Sequence, residues 1–340
     1  MAARLHGARS GAAWYLVPMD DDAERPPLAT AELPPLPIDV VMNARAGRLD
    51  EESARERIGR VLSRAGREHR LLAPAHPGEL AGLVARLAAE ARERPRIVAA
   101  AGGDGTLNTV AGALRGTEIP LGVIPLGTFN YFARDLGVPL DPEAAAAALL
   151  DGVVRRRHVA DVNGRAFLVN ASFGLYRRLI EDRERAKRRF GRNKGVAAAS
   201  GLATLLRHQG SYAVELEVDG RPVFLRTPLL FFGFNALQLE NLGLDVAGGP
   251  ERGLLAVLAL RPMGRLELLA TALRGALVGL ADEKGLVRHC ASRATVRRRG
   301  VRRARVAVDG ETCGCRMPLR FSVQRDALAV VVPRHPEPRR

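Results

Sequence analysis

Hydrophobic and polar positions follow two different rhythms along the chain. Between about residues 37 and 152, short apolar runs such as RIVAAA (96–101) and PLGVIP (120–125) alternate with segments whose apolar residues recur at helical spacing. Runs this short and apolar are typical of strands buried on both faces. Their alternation with helices predicts an open, mainly parallel α/β domain over residues 37–152, with helices on both faces of the sheet.

After about residue 152 the apolar positions recur every second residue. The segment SYAVELEVDGRPVFL (211–225) alternates on either side of Asp219-Gly220, a dipeptide typical of a hairpin turn. The second part of the chain, residues 153–333, is therefore predicted to be a mainly β domain. Helical insertions are expected near 176–190, 194–208 and 266–280.

The first 36 residues are rich in Ala, Pro and acidic residues and lack the basic start and apolar core of a signal peptide. We expect them to be a disordered leader. No stretch reaches the roughly 18 consecutive apolar residues of a membrane span, since Arg274 interrupts the best candidate. Three cysteines without a second pair or a nearby histidine do not make a zinc site, and they fit a reducing cytoplasm.

A glycine-rich loop with a single carboxylate lies in the first domain. In VAAAGGDGTLNTVAG (98–112), three glycines surround Asp104 between a predicted strand and a predicted helix. Nucleotide phosphates bind at this position in open α/β sheets, because glycines let phosphate oxygens approach backbone N–H groups. The loop is neither a dinucleotide G-x-G-x-x-G, which would need glycine at Asn108, nor a G-x-x-x-x-G-K-[ST] loop.

A second loop repeats this layout. In GVIPLGTFNYFARDLGVP (122–139), Gly127 follows a predicted strand and Thr128 is predicted to cap a helix. Two such loops side by side would form a cleft suited to a triphosphate. An acid among phosphates needs a cation between them, so we interpret Asp104 as a partner of Mg²⁺ or of a nucleotide hydroxyl. The alternative is that Gly-Asp-Gly is only a tight turn.

These two loops resemble the diacylglycerol kinase catalytic domain family. The resemblance rests on GGDGTLN (102–108) and PLGTFNYFARDLGVP (125–139), and VMNARAG (41–47) and VAVDGE (306–311) support it. The bacterial lipid kinase branch of this family also includes sphingosine kinases and is distantly related to NAD kinases. The resemblance covers most of the chain after residue 37.

The resemblance implies a kinase with its active site between a nucleotide-binding α/β domain and a β-sandwich domain that binds the lipid substrate. ATP, with Mg²⁺, would donate its γ-phosphate to a lipid hydroxyl, with diacylglycerol giving phosphatidic acid as the expected reaction. The family pattern makes Asp309 and Glu311 the catalytic acids, one of which accepts the hydroxyl proton. It also implies a set of ATP-binding residues, in which Asp104 serves the metal: Asn43, Arg45, Gly47, Gly102, Gly103, Asp104, Gly105, Thr106, Gly127, Thr128 and Asn130.

The chain departs from the family pattern at three places. Tyr131 stands where the family often has Asp, Ala44 follows Asn43 in place of Pro, and Glu251-Arg252-Gly253 replaces a common Asp-Asp-Gly. These departures leave the metal network and the identity of the lipid open. Alternatives are therefore a kinase of another lipid or of a soluble alcohol, and a nucleotide-binding sensor without catalysis. The oligomeric state is open as well, with a homodimer included.

An excess of basic residues favours anionic partners. Lys and Arg number 52 against 37 Asp and Glu, a formal net charge of +15. The basic runs at 183–195 and 297–305 are expected to hold the enzyme peripherally on the anionic inner face of the cell membrane, although ordinary solvated surfaces would also explain them. Aromatic residues make up 4% of the chain and do not alternate with the basic runs, so we do not expect nucleic acid as a partner.

Overall fold

The structure is a computed structural model that describes residues 30–43, 51–174, 210–244, 248–264, 267, 270–271 and 285–338. Three features predicted from the sequence lie outside these residues: the helical insertions at 176–190 and 194–208, and the basic run at 183–195. Most of the helical insertion at 266–280 also lies outside them. None of the helices in the described ranges is long and apolar enough to cross a membrane.

The first part of the chain alternates strands and helices. Its elements are β1 (Thr30–Glu32), β2 (Ile38–Asn43), α1 (Glu51–Arg64), β3 (His69–Leu72), α2 (Leu80–Glu93), β4 (Ile97–Gly102), α3 (Asp104–Leu114), β5 (Leu121–Pro125), α4 (Tyr131–Asp135) and α5 (Pro142–Asp151). Strands β3, β2, β4 and β5 pair in parallel in that order. β4 and β5 are buried along their whole length, as expected for strands covered on both faces. The predicted α/β domain is confirmed.

The second part of the chain is built from antiparallel strands. Its elements are β6 (Val153–Val162), β7 (Arg165–Phe167), β8 (Asn170–Gly174), β9 (Tyr212–Val218), β10 (Arg221–Thr227), β11 (Leu229–Gly233), α6 (Ala236–Asn241), β12 (Leu255–Leu260), β13 (Leu286–Ala291), β14 (Arg293–Arg297), β15 (Arg303–Val308), β16 (Glu311–Arg316) and β17 (Leu319–Val332). One sheet has six strands in the order β13-β12-β11-β8-β15-β16. Strands β10, β9, β14 and β17 form a second layer, and buried apolar residues from both layers make one core. The rings of Phe232 and Phe321 stack across it with centroids 3.6 Å apart. The predicted β-rich second domain is confirmed.

Strand β17 links the two domains. Its first residues, including Phe321, lie in the core of the sandwich, and Val330 pairs in parallel with Leu121 of β5 in the first domain. The register against β6 shifts between Gln324 and Leu328, which bends the strand from one core to the other. The sheet of the first domain therefore includes a strand from the C-terminal end of the chain. The boundary near residue 152 separates the two hydrophobic patterns of the sequence. It does not separate the sheets, because β17 from the second part of the chain pairs with β5 of the first.

A short strand lies within the predicted leader. Residues 30–32 form β1, which pairs antiparallel with the start of β6, so that Glu32 stands opposite Val153. Glu32 also forms an ion pair with Arg334. This end of the leader is therefore ordered by strand pairing, a contact that its Ala-rich and Pro-rich composition did not indicate.

Candidate active site

Three strands of the parallel sheet end side by side. In the strand register Asn43 is the partner of Gly102, and Gly102 is the partner of Pro125. The segments that follow β2, β4 and β5 therefore start from one edge of the sheet, where open α/β sheets bind their ligands. The segment after β2, residues 44–50, lies outside the described residues. Arg45 and Gly47 belong to it, so their contacts with ATP stay predictions.

The glycine loop after β4 is very short, because Gly103 alone separates the end of β4 from the start of α3. The side chain of Thr106 is buried and folds back over Gly102. A Cβ atom at position 102 would lie 2.7 Å from the Thr106 Cβ, a distance that real Cβ atoms do not show, so this position requires glycine. Thr106 thus packs beneath the loop, at the end of α3 where a helix leaves its first N–H groups without a carbonyl one turn earlier.

The two glycine loops touch each other through their backbones. A Cβ atom at Gly127 would lie 2.6 Å from the Gly103 Cα, and the Leu126 N–H donates to the Gly102 carbonyl at 2.9 Å. Only glycine at position 127 permits this approach. The two loops predicted from the sequence therefore form one continuous backbone surface.

Asn130 holds the second loop in shape. Its Oδ1 accepts the Gly127 N–H and its Nδ2 donates to the Gly127 carbonyl, both at 3.0 Å. Its φ of 53° is left-handed, a region in which Asn is enriched. The prediction that Thr128 caps the following helix is wrong, because α4 begins at Tyr131 with Asn130 in the cap position. Thr128 is exposed at the tip of the loop, and the buried Asn130 side chain is used within it.

The carboxylate of Asp104 is directed at the start of α4. Its Oδ1 accepts the Phe132 N–H at 3.4 Å. Burial raises the pKa of Asp104, and the backbone N–H groups of residues 130–132 oppose that shift. The acid in the glycine loop therefore has a partner within the protein, the N–H groups of the second loop. No group of three or more His, Cys, Asp or Glu side chains placed to hold a metal occurs among the described residues.

Asp309 and Glu311 lie on the turn between β15 and β16 and have very different surroundings. The Asp309 carboxylate accepts three backbone N–H groups, those of Leu168 at 2.8 Å, Val169 at 3.0 Å and Asn170 at 2.9 Å. Burial raises the pKa of Asp309 to about 7, with the three N–H donors opposing and the nearby charge of Asp104 adding to the rise. Asp309 therefore fastens this turn to the residues that precede β8.

Glu311 is exposed and reaches the glycine loop. A Cβ atom on Gly105 would lie 3.1 Å from its Oε1. Its Oε2 accepts a hydrogen bond from Arg165 Nη2 at 2.9 Å. The structure thus brings a carboxylate of the second domain against the N-terminus of α3. Nothing in the sequence pattern singled out Arg165, which follows a turn on β7.

Two buried polar atoms on β8, Asn170 Oδ1 and Ser172 Oγ, have no hydrogen-bond partner among the described residues. Residues two apart on a strand point to the same face, so both atoms belong to one face of the six-stranded sheet. Asn170 Nδ2 donates to Gln238 Oε1 at 2.9 Å, and Ser172 stands opposite Phe231. Phe231 belongs to an apolar cluster with residues of α6 and β12. Unpaired buried polar atoms beside apolar side chains are typical of a ligand site.

A buried asparagine connects the domains beside the second loop. Asn235 caps α6 through its Oδ1 and donates from Nδ2 to the Tyr131 carbonyl at 3.3 Å. The Tyr131 ring stacks on Phe129, with centroids 5.8 Å apart and planes 6° from parallel. Tyr131, one of the three departures from the family pattern, therefore lies at the junction of the two domains.

Comparisons with known proteins agree with this geometry. The family model for the diacylglycerol kinase catalytic domain matches residues 37–162. A Mycobacterium tuberculosis (strain H37Rv) protein named diacylglycerol kinase is 32% identical over 261 residues, which cover 73% of this chain and 81% of that protein. The chain belongs to the diacylglycerol kinase family.

Other relatives match over shorter or more divergent stretches. A Pseudomonas aeruginosa PAO1 protein named "Probable lipid kinase YegS-like" is 54% identical over 78 residues, 22% of this chain, and the match spans only 26% of that protein. A crystal structure of a diacylglycerol kinase from Bacillus anthracis (strain Sterne) superposes with a TM-score of 0.67 at 19% identity, covering 88% of this chain and 97% of the other. This structure supports the family fold over both domains.

Proposed function

We propose that the chain is an ATP-dependent lipid kinase that transfers the γ-phosphoryl group to a lipid hydroxyl, with diacylglycerol as acceptor and phosphatidic acid as product. The observation that carries the proposal is the contact of Glu311 with Gly105. An alcohol becomes a good nucleophile when a positioned base takes its proton during phosphoryl transfer. A carboxylate that faces a phosphate-binding loop meets that requirement.

The two glycine loops would bind the triphosphate. Their backbone surface at Gly103 and Gly127 carries no side chain, so phosphate oxygens can approach the N–H groups closely. The N-terminus of α3 adds a positive partial charge at the same place. Asn43, at the neighbouring strand end, borders this surface.

Glu311 is the proposed base. In the transfer step an oxygen of the acceptor hydroxyl attacks the γ-phosphorus, the bond to the β–γ bridging oxygen breaks, and the hydroxyl proton passes to a Glu311 carboxylate oxygen. ADP leaves with the electron pair of the broken bond. Arg165 holds Glu311 in place through the hydrogen bond from its Nη2. Asp309, whose carboxylate is occupied by three N–H donors, is proposed as a positioning residue for the hairpin that carries Glu311.

The described residues suit a Mg²⁺ ion that arrives with the nucleotide. The glycine loop carries one carboxylate, Asp104, which the transfer step does not need as a base. Mg²⁺ bound to nucleotides typically uses one or two protein carboxylates and takes its other ligands from phosphates and water. When bound, the ion would neutralise charge on the phosphates. The N–H partners of Asp104 fix the orientation of that carboxylate.

The acceptor would lie over β8. Asn170 Oδ1 can accept from a hydroxyl and Ser172 Oγ can donate to an ester oxygen, and neither atom has a partner in the part of the chain that the structure describes. The apolar cluster around Phe231, which stands opposite Ser172, would bind an acyl chain of the acceptor. This order of polar and apolar groups fits a lipid alcohol with ester oxygens near its free hydroxyl.

A peripheral position on an anionic membrane is the proposed way to reach such a lipid. Phe224 on the edge strand β10 is 71% exposed. In the strand register it aligns with Glu215, which in turn aligns with Arg297 of the basic run 297–305. An exposed aromatic side chain near a basic run favours an anionic interface. We propose a cytoplasmic enzyme that binds the inner face of the membrane in this way.

The test is phosphorylation of mixed micelles by ATP, with diacylglycerol, ceramide, sphingosine or monoacylglycerol in the micelle and free glycerol as the soluble acceptor. Phosphatidic acid from the native protein is expected, with a loss of about a hundredfold or more in Glu311→Gln. Glu93→Gln, at an exposed glutamate on α2, is the matched control and should keep full activity. ATP binding without any product would favour the sensor alternative, and faster transfer to glycerol would favour a soluble acceptor.

A further inference from the structure

Two cysteines lie next to each other on β16, the strand that also carries Glu311. Cys313 and Cys315 are two residues apart and therefore face the same side of the strand. Their Sγ atoms are 3.7 Å apart. Cys315 packs in the core of the sandwich and Cys313 is half-buried at its margin. The proposed function makes no use of this pair.

The local backbone allows the two sulfur atoms to come closer. Among the described residues β16 is the last strand of the six-stranded sheet, and β15 is the strand that pairs with it. Gly314 separates the two cysteines, and the space where its Cβ would be is open for at least 4 Å. Residues two apart in an extended strand have Cα atoms about 6.8 Å apart, at the upper end of the range that a disulfide spans. A small bend at Gly314 is therefore enough to join them.

We propose that Cys313 and Cys315 are an oxidation site, in which a peroxide converts the two thiols to a disulfide and thereby displaces Glu311. The Cys313 thiolate attacks one oxygen of hydrogen peroxide, the O–O bond breaks, and sulfenic acid and, after protonation, water are formed. Cys315 then attacks the Cys313 sulfur, and its thiol proton leaves with the hydroxyl group as a second water. The two sulfurs together lose two electrons, which reduce the peroxide.

The surroundings assign the two steps to different cysteines. Cys313 is the more accessible of the two and is the first to meet a peroxide. Cys315 is 9% exposed, and burial together with the neighbouring thiol raises its pKa to about 11. Cys315 therefore stays protonated until the sulfenic acid forms beside it, and it acts as the resolving thiol.

The consequence for the site follows from the register of β16. Glu311 pairs with Val308, and Cys313 pairs with Val306 on the same neighbouring strand. A bend at Gly314 shifts the residues just before it against β15, and Glu311 is two residues before Cys313. Because Glu311 acts through its position against Gly105, the bend lowers transfer by about tenfold or more, as expected for a displacement near 1 Å. This consequence rests on the proposed function, whereas formation of the disulfide does not.

The experiment treats the full-length protein with hydrogen peroxide and measures free thiols, peptide masses and lipid phosphorylation. We expect three free thiols to fall to one, with a peptide that carries the Cys313–Cys315 disulfide. Phosphorylation should fall in parallel and recover with a dithiol reductant. In the control Cys290→Ser, which removes the cysteine on β13 at the opposite edge of the sheet, two thiols should fall to none.

The variants Cys313→Ser and Cys315→Ser separate the outcomes. Both should keep their activity under peroxide, because neither can close the disulfide. Unchanged thiols, a sulfinic acid or a disulfide between two molecules in the native protein would overturn the oxidation site, whatever the activity. A disulfide that forms while phosphorylation is unchanged would overturn its effect on Glu311. Absence of phosphorylation before oxidation would count against the proposed function alone, since the thiol and mass readouts do not depend on it.

Discussion

Arg165 Nη2 donates a hydrogen bond to Glu311 Oε2 at 2.9 Å, at the point where the second domain reaches the glycine loop. The pair is partly exposed, with 42% of the arginine side chain and 63% of the glutamate side chain accessible, so its electrostatic contribution to stability is small. Its importance lies in orientation. A carboxylate on an exposed strand end has many rotamers, and the arginine selects the one that faces Gly105.

Loss of the arginine is therefore expected to lower turnover more than stability. Arg165→Gln should reduce kcat by about tenfold with a small change in the KM for the lipid, because Glu311 loses its orienting partner. Arg165→Lys keeps the positive charge but lacks the planar guanidinium, so its kcat should lie between those of the native protein and Arg165→Gln. Steady-state kinetics with diacylglycerol in mixed micelles measure both constants. An unchanged kcat in Arg165→Gln would show that Glu311 needs no partner.

The second prediction concerns the three hydrogen bonds that the Asp309 carboxylate accepts. Asp309→Asn keeps the left-handed backbone, with φ at 44°, but presents an NH₂ group to at least one of the three N–H donors. Leaving a buried donor unpaired should lower the free energy of unfolding by about 1–3 kcal/mol. Denaturant titration measures this loss. Asp219→Asn is the matched control, because Asp219 also has a left-handed φ before a glycine and accepts the Ser292 and Arg293 N–H groups; its loss should be smaller, since these hydrogen bonds are exposed.

The raised pKa of Asp309 gives stability an unusual pH dependence. Its pKa of about 7 in the folded protein lies above the ordinary value of 3.8, so the folded state holds a proton that the unfolded chain has released between these limits. The contribution of Asp309 to stability is complete below about pH 4 and is lost as the pH rises through 7. We expect a slope of at most about 1.4 kcal/mol per pH unit in this window. The difference between native and Asp309→Asn unfolding free energies, measured from pH 4 to 8, isolates it, and a flat difference would contradict the prediction.

The contact between the two glycine loops leads to a prediction on nucleotide affinity. In Gly127→Ala the new methyl group would lie 2.6 Å from the Gly103 Cα, so the loops must separate. Overpacking of this kind costs about 1–3 kcal/mol, and we expect ATP affinity to fall by about tenfold or more. Isothermal calorimetry measures the affinity. Gly82→Ala on α2, where nothing lies within 4 Å, should leave it unchanged.

The sequence predicted the strands and loops of the first domain because their signals are local. Glycine at 102 admits the Thr106 side chain and glycine at 127 admits the Gly103 backbone, and the apolar residues at helical spacing from Leu80 to Ala91 are buried on α2. The strands of the second domain were predicted from apolar residues that recur at every second position. These patterns depend only on neighbours along the chain.

The relationships that the sequence missed all join distant segments. The sequence did not indicate that Asp104, interpreted as a partner of a cation, also accepts the Phe132 N–H at the start of α4, because backbone N–H groups leave no mark in a sequence. Asp309 and Glu311 are equivalent in the sequence pattern. Only the contacts of the folded chain distinguish Asp309, which accepts backbone N–H groups, from Glu311, which is exposed and bound by Arg165. Arg165 is one arginine among many, and its role depends on a strand that lies 146 residues further along the chain.

The proposed membrane contact predicts a defect confined to binding. Phe224 is 71% exposed, so Phe224→Ser should leave the free energy of unfolding nearly unchanged. Insertion of the ring among lipid headgroups would bury apolar area worth roughly 1.5–3 kcal/mol, so the variant should bind phosphatidylglycerol vesicles about tenfold more weakly. Vesicle sedimentation measures this affinity, and phosphatidylcholine vesicles give the background. Leu140→Ser removes an apolar side chain of the first domain that is 44% exposed and should bind like the native protein. Equal losses in both variants would mean that exposed apolar surface in general, and not the edge strand beside Arg297, governs the contact.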